Sequence, residues 1–140
     1  HIWRRHSVGH PVPDDISPED RPSNEILFKL SSGAEMPSNG IGLCCRASAY
    51  DFESVKRTVV WYLMKGGRLL DTAQVYLNHK AVGAGIKEAM KRGVPREEIY
   101  VTTKIPSRFF SGDSISKFIP EFLEELQVEV RKFIFSDNTM

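Results

Sequence analysis

From residue 26 onward, apolar positions recur in two alternating rhythms: short unbroken runs and longer stretches at helical spacing. ILFKL reads as a short strand, SSGAEMP as a turn at Gly33, and SNGIGLCC as a second, buried strand, together a hairpin leading into the core. Asp51 then stands where a helix cap belongs, and Phe52, Val55, Val59, Leu63 and Met64 fall on one helical face. Gly66 and Gly67 end that helix. Arg68 to Asp71 is a short buried strand. A second helix, with Asn78 as its cap, carries Val82, Ile86, Ala89 and Met90 and ends at Gly93 and Pro95. Gly83 and Gly85 weaken it in isolation and allow a close neighbour. Ile99 to Thr103 is a third strand. A third helix places Ile115, Phe118, Ile119, Phe122, Leu123 and Leu126 together, with Pro120 kinking it or marking its true start. Val128 to Phe135 reads as a fourth strand.

Strand onsets near 40, 68, 99 and 130 are spaced by about 30 residues, the length of one βα unit. Repeated βα units imply a parallel sheet covered by helices. The spacing does not say whether that sheet closes.

Residues 1–25 follow neither rhythm. They hold four of the eight prolines and three of the four histidines, and read as an irregular or disordered arm. His6 and His10 are spaced for a shared metal only on a helix, which Pro11 and Pro13 oppose, so no metal site is expected there. The chain starts at His1, as a processed protein or a piece of a longer one would, and no apolar core of a signal peptide follows. Charge is nearly balanced, 19 basic residues against 18 acidic, which gives no footprint for nucleic acid or an acidic membrane surface. No apolar run approaches the roughly 18 residues of a membrane span. The two cysteines, Cys44 and Cys45, are sequence neighbours, so a reduced, cytoplasmic protein is expected.

The candidate chemistry lies in LLDTAQVYLNH and YVTTKIP, where Asp71, Tyr76 and Lys104 follow apolar runs. Polar side chains at the carboxyl ends of parallel strands are more often chemistry than packing. A free phenol, with a pKa near 10, transfers protons poorly at neutral pH; a nearby ammonium favours the phenolate, and a carboxylate keeps the ammonium charged and oriented. On spacing alone, the opposing reading keeps its place: Asp71 ends a strand, Tyr76 packs and Lys104 is a surface charge. Tyr76 and Lys80 also match the Y-x-x-x-K pair of short-chain dehydrogenases. That family needs a glycine-rich turn after its first strand, and Gly40-Ile41-Gly42 is followed by Leu-Cys-Cys without a third glycine, so the match is set aside. Gly40 and Gly42 either let backbone approach a ligand or mark tight packing. His79, at a helix start, is expected to be exposed. No other set of His, Cys, Asp and Glu has metal-ligand spacing, and no serine sits on a G-x-S-x-G turn.

The ordered string FKLSSGAEMPSNGIGL, GGRLLDTAQVYLNHKAVGAGIKEAMKRGVPREEIYVTTKI and FLEELQVE resembles the aldo-keto reductase family across about residues 28–129. The resemblance implies an α/β fold, the N-terminal half of a (β/α)8 TIM barrel over residues 26–140, with an N-terminal β-hairpin followed by about four βα units. It implies an NADPH-dependent oxidoreductase that reduces small aldehydes or ketones to alcohols, or the reverse. Tyr76 would be the general acid, Lys104 would lower its pKa and Asp71 would pair with Lys104. Gly42 and Leu43, with Asp71, would lie against the nicotinamide side of the cofactor, and Cys44, with Tyr76, would face the substrate pocket. Leu43 stands where the family commonly has Thr, and His79 where it commonly has Glu.

The resemblance weakens after Glu129. The family continues to a catalytic histidine followed by a small residue and proline; this chain reads VRKFIFSDNTM, with Asp137 near that place and Arg131 and Lys132 interrupting an apolar strand. A truncation, a frame change or an unspliced boundary just after Glu129 is the expectation. It carries an alternative function: a catalytically inactive half-barrel that associates with another chain, or with itself, through an exposed sheet edge.

Overall fold

The computed structural model describes residues 10–45, 47–106, 112–127 and 133–138, apart from the side chains of 47, 112–115 and 133–138. Strands β1 (Leu27–Lys29) and β2 (Glu35–Pro37) form an antiparallel hairpin. Next come β3 (Ile41–Gly42), α1 (Phe52–Met64), β4 (Leu69–Asp71), α2 (His79–Lys91), β5 (Tyr100–Pro106), α3 (Gly112–Leu126) and β6 (Phe133–Asn138). The last four strands form one parallel sheet in sequence order, β3-β4-β5-β6. This is the βα repeat read from the onset spacing.

The hairpin differs from the expected one. Its return strand is Glu35–Pro37, within the segment read as a turn, and SNGIGL instead enters the parallel sheet. Gly33 at φ +83° closes a short loop whose N–H reaches the Leu30 carbonyl, so the chain reverses too early for SNGIGL to pair back. Nor is the hairpin buried in the core: Ile26 and Phe28 are exposed, and only Pro37 of its paired residues is buried.

Asp51 caps α1 through its Oδ2, which accepts from Ser54 N at 2.8 Å. Val55, Val59, Leu63 and Met64 are buried as their spacing requires, while Phe52 remains 48 % exposed at the helix start. In α2, Val82, Ile86 and Ala89 are buried and Met90 faces outward. The buried residues of both helices join Leu70 and Val101 of the sheet, Ile99 just before β5 and Leu126 of α3 in one apolar core. Each large side chain taken fully from water there contributes about 1.5–3 kcal/mol.

The two α2 glycines are contact points. A Cβ at Gly85 would lie 2.6 Å from Val59 Cβ of α1, and one at Gly83 would overlap the Leu126 carbonyl at the end of α3. Helix propensity is given up at two positions so that α2 can touch both neighbours. Pro120 lies inside α3, which starts eight residues earlier at Gly112. Of the expected α3 face, Phe122 and Leu126 are buried and Phe118, Ile119 and Leu123 are partly so; the side chain of Ile115 lies outside the described residues.

Residues 10–25 contain no helix or strand but lie against the body. Val12 belongs to the core, and Ile16 packs against it. Trp61 Nε1 donates to the His10 carbonyl at 2.8 Å, Arg92 reaches the carbonyls of Val12 and Pro13, and Glu19 N donates to the Met64 carbonyl at 2.8 Å. His6, its possible pairing with His10, and Arg131 and Lys132 lie outside the described residues.

Candidate active site

The parallel sheet brings three of the sequence candidates together. Asp71 is the last residue of β4, and Lys104 lies inside β5. The third strand was expected to end at Thr103; it continues to Pro106 because β6 pairs alongside it, matching Lys104 with Ser136, Ile105 with Asp137 and Pro106 with Asn138. Asp71 is matched to Thr102, two residues before Lys104, so both side chains emerge on the same side of adjacent strands. Lys104 Nζ donates to Asp71 Oδ1 at 2.7 Å and Oδ2 at 2.9 Å. It also donates to the Thr72 carbonyl at 3.1 Å.

Tyr76 closes a 3-10 turn, Gln74–Tyr76, between β4 and α2. Its hydroxyl accepts from Lys104 Nζ at 3.3 Å, and the ammonium lies 5.1 Å from the ring centre. Leu77, at φ 54°, breaks the chain direction before α2 begins, so Tyr76 and Lys80 do not share a helix. The Y-x-x-x-K alternative therefore lacks its geometry, and Lys80 is exposed.

Burial draws the Lys104 ammonium toward its neutral form, but the hydrogen bonds and charges of Asp71 and Tyr76 outweigh it, and its pKa is raised above the ordinary lysine value. Lys104 is thus a fixed cation at neutral pH with a phenol oxygen in reach. With its side chain 18 % exposed against 39 % for Asp71, the pair sits at the rim of the sheet rather than in the core.

The other candidates are placed differently. Gly42 pairs with Asp71, and a Cβ built on it would meet nothing within 4 Å, so open space lies beside the Asp71 backbone. Leu43 is 2 % exposed and belongs to the core; its N–H donates to the Asp71 carbonyl at 2.9 Å. Cys44 is half-buried and its sulfur is bonded to that of Cys45, where a free thiol was expected. The left-handed backbone at Cys45, φ 66°, accompanies this link between neighbours. Asp137 is described only through its backbone.

Two residues have roles that their place in the sequence does not indicate. Asn78 stands at the start of α2, but its side chain makes no cap hydrogen bond. Instead it accepts from Thr72 Oγ1 at 2.8 Å and donates to the Leu43 carbonyl at 2.8 Å. His79, expected to be exposed, is 3 % exposed. Its Nε2 lies 3.0 Å from Thr103 Oγ1 and its Nδ1 3.2 Å from Glu125 Oε2, with Phe122 edge-on at 5.1 Å. Position at a helix start carries no sign of this, since the residues that bury it come from β5 and α3. A cavity of about 320 Å³ lies between the starts of α1 and α2 and one face of α3. Its lining includes His79, Phe122 and Glu125 but none of Asp71, Tyr76 and Lys104.

Among the described residues no group of three or more His, Cys, Asp and Glu could hold a metal ion, and no helix is long and apolar enough to cross a membrane.

Comparison with known proteins gives one answer. The family model for the aldo/keto reductase family matches residues 38–137. An NAD(P)H-dependent D-xylose reductase of Scheffersomyces stipitis is 35 % identical over 103 residues, 73 % of this chain and 31 % of that protein. A 9,11-endoperoxide prostaglandin H2 reductase of Trypanosoma cruzi is 41 % identical over 82 residues, 59 % of this chain and 27 % of that protein. The crystal structure of a Bombyx mori aldo-keto reductase in complex with NADP superposes with a TM-score of 0.67 at 30 % identity, over 79 % of this chain and 36 % of that one. The chain thus spans about a third of the length of the relatives it matches. Its parallel α/β sheet is part of a TIM barrel, and the chain belongs to the aldo/keto reductase family.

Proposed function

We propose that the protein carrying this chain is an NADPH-dependent oxidoreductase that reduces small aldehydes or ketones to alcohols, with Tyr76 as proton donor. One observation carries the reading: Lys104 Nζ bridges the Asp71 carboxylate and the Tyr76 hydroxyl in a single hydrogen-bonded set. The relatives supply the cofactor class, since one is named as NAD(P)H-dependent and another is solved with NADP.

In this reading the nicotinamide end of the cofactor lies beside Gly42 and Asp71. The open space beside Gly42 adjoins the Asp71 end of β4. When bound, NADPH supplies the hydride that reduces the carbonyl carbon. The chain supplies the proton and the groups that release it. As the carbonyl oxygen gains negative charge, the Tyr76 hydroxyl donates its proton to that oxygen. The phenolate left behind faces the Lys104 ammonium, which stabilises it. Asp71 holds that ammonium with two hydrogen bonds, so the positive charge is in place before the reaction starts. Leu43, buried in the core, acts in this scheme through its backbone link to Asp71.

The test is turnover of simple aldehydes with NADPH by the full reading frame. Replacing Tyr76 by Phe removes the hydroxyl and keeps the ring. Loss of a positioned general acid lowers turnover by about 10²- to 10⁴-fold, with cofactor affinity retained. Wild-type turnover in Y76F would remove Tyr76 from the mechanism.

A further inference from the structure

We propose that Asn78 and His79 form a positioning clamp that fixes the Tyr76 turn to both strands bearing its partners. The inference rests on the proton-transfer reading above. Asp71 and Lys104 stand on neighbouring strands, while Tyr76 stands on a short turn that must be held against both. The next two polar residues along the chain do this. Asn78 bonds to Thr72, the residue after Asp71, and to the carbonyl of Leu43, the residue after β3. His79 bonds to Thr103, the residue before Lys104, and to Glu125 of α3. Adjacent residues of one helix start thus each grip the immediate neighbour of a site residue, one just past β4 and one within β5. Asn78 is 4 % exposed and His79 3 %. A buried polar group of this kind is retained only with its partners in place.

The clamp fixes a tautomer. Glu125 as a carboxylate accepts only, so the His79 proton sits on Nδ1 and points at it. Nε2 is then an acceptor, and Thr103 Oγ1 donates to it. Protonation would turn Nε2 into a donor and force the Thr103 hydroxyl to reverse. Burial opposes that protonation and holds the His79 pKa below its ordinary value of 6.5, with Glu125 pulling the other way. The other charged groups on the cavity around His79 are Glu121 of α3, Lys80 of α2 and Asp51 at the start of α1. A lowered folded value means that neutral His79 stabilises the fold fully above pH 6.5, and that this contribution is lost as pH falls through the folded value.

Glutamine can replace one ring N–H donor and one ring acceptor; leucine can replace neither. In the full reading frame, H79L lowers kcat by up to about 100-fold, the scale of a misplaced catalytic group, with KM nearly unchanged. H79Q restores most of the loss. The wild-type kcat falls on the acid side below pH 6.5, and H79Q lacks that limb. If H79L does not fold, the pH profile of H79Q against wild type still decides. Imidazole ¹⁵N shifts give a readout independent of activity, with Nδ1 protonated at pH 7. A kcat for H79L equal to wild type, an identical acid limb in H79Q, or an Nε2–H tautomer would each overturn the clamp. Y76F measured in parallel separates the two readings: if Y76F is inactive while H79L is fully active, the clamp fails and the proton donor stands. An active Y76F removes the proton-donor reading itself.

Discussion

Two cations sit toward opposite ends of the same parallel sheet and are held in different ways. Arg68, just before β4, is 1 % exposed. It donates to the Glu98 carboxylate at 2.8 Å and to the carbonyls of Leu63, Gly67 and Glu19 at 2.9, 2.9 and 3.0 Å. Its partners come from the end of α1, the turn before β5 and the segment 10–25, so it ties three parts of the chain together. Lys104, toward the far end of β5, meets a carboxylate, one carbonyl and a phenol oxygen at the sheet rim. All partners of Arg68 are permanent acceptors. Lys104 keeps one partner whose proton can leave. In (β/α) barrels the amino ends of strands serve stability and the carboxyl ends serve chemistry, and the different partners of these two cations follow that division if Lys104 has the role proposed above.

The contrast is broken most strongly at Lys104. Lys104→Met removes the charge facing Tyr76 while leaving the fold nearly intact, and turnover falls by about 10²- to 10³-fold, the size seen for loss of one electrostatic donor. Steady-state kinetics beside a thermal melt checks both halves. Arg68→Met gives the reverse pattern: it removes the buried donor that ties Glu98 and the carbonyls of Leu63, Gly67 and Glu19 together and destabilises by about 2–4 kcal/mol, read from urea unfolding. Activity per folded molecule is unchanged.

Smaller effects sharpen the picture away from both cations. Gly85→Val drives a branched side chain into Val59 and destabilises by about 1–3 kcal/mol, where the same change at Gly33, whose added Cβ meets no neighbour, acts through backbone strain alone. Trp61→Phe removes the single bond to the His10 carbonyl and lowers stability by about 0.5–1.5 kcal/mol. Proteolysis within residues 10–25 speeds up in that variant.

How much of this the sequence carried depends on where each contact originates. The βα order was legible because helix faces such as Val55, Val59 and Leu63 repeat locally. Asp71 and Lys104 were legible as candidates because each follows an apolar run, and Tyr76 because it stands five residues after Asp71 in the same segment. The hairpin return strand was missed, since Glu35–Pro37 is three residues with a proline and has no alternation to read. The burial of His79 was missed for a different reason. Its ring partners are remote in sequence; Phe122 and Glu125 arrive from more than 40 residues away. Asn78 was read as a cap by residue type, and the cap position was right, but its side chain found a better set of partners in Thr72 and Leu43. Local pattern fixes elements and their order, while the destination of a polar side chain at an element's end is decided by what the fold brings to it.

The central claim is that Lys104 and Tyr76 act as one proton-transfer unit. A double-mutant cycle on turnover tests it most directly, with Y76F, K104M and the pair measured in the full reading frame. The account predicts strong non-additivity, with the double variant no slower than Y76F alone, since the ammonium has nothing to stabilise once the hydroxyl is gone. Losses that multiply independently would contradict it.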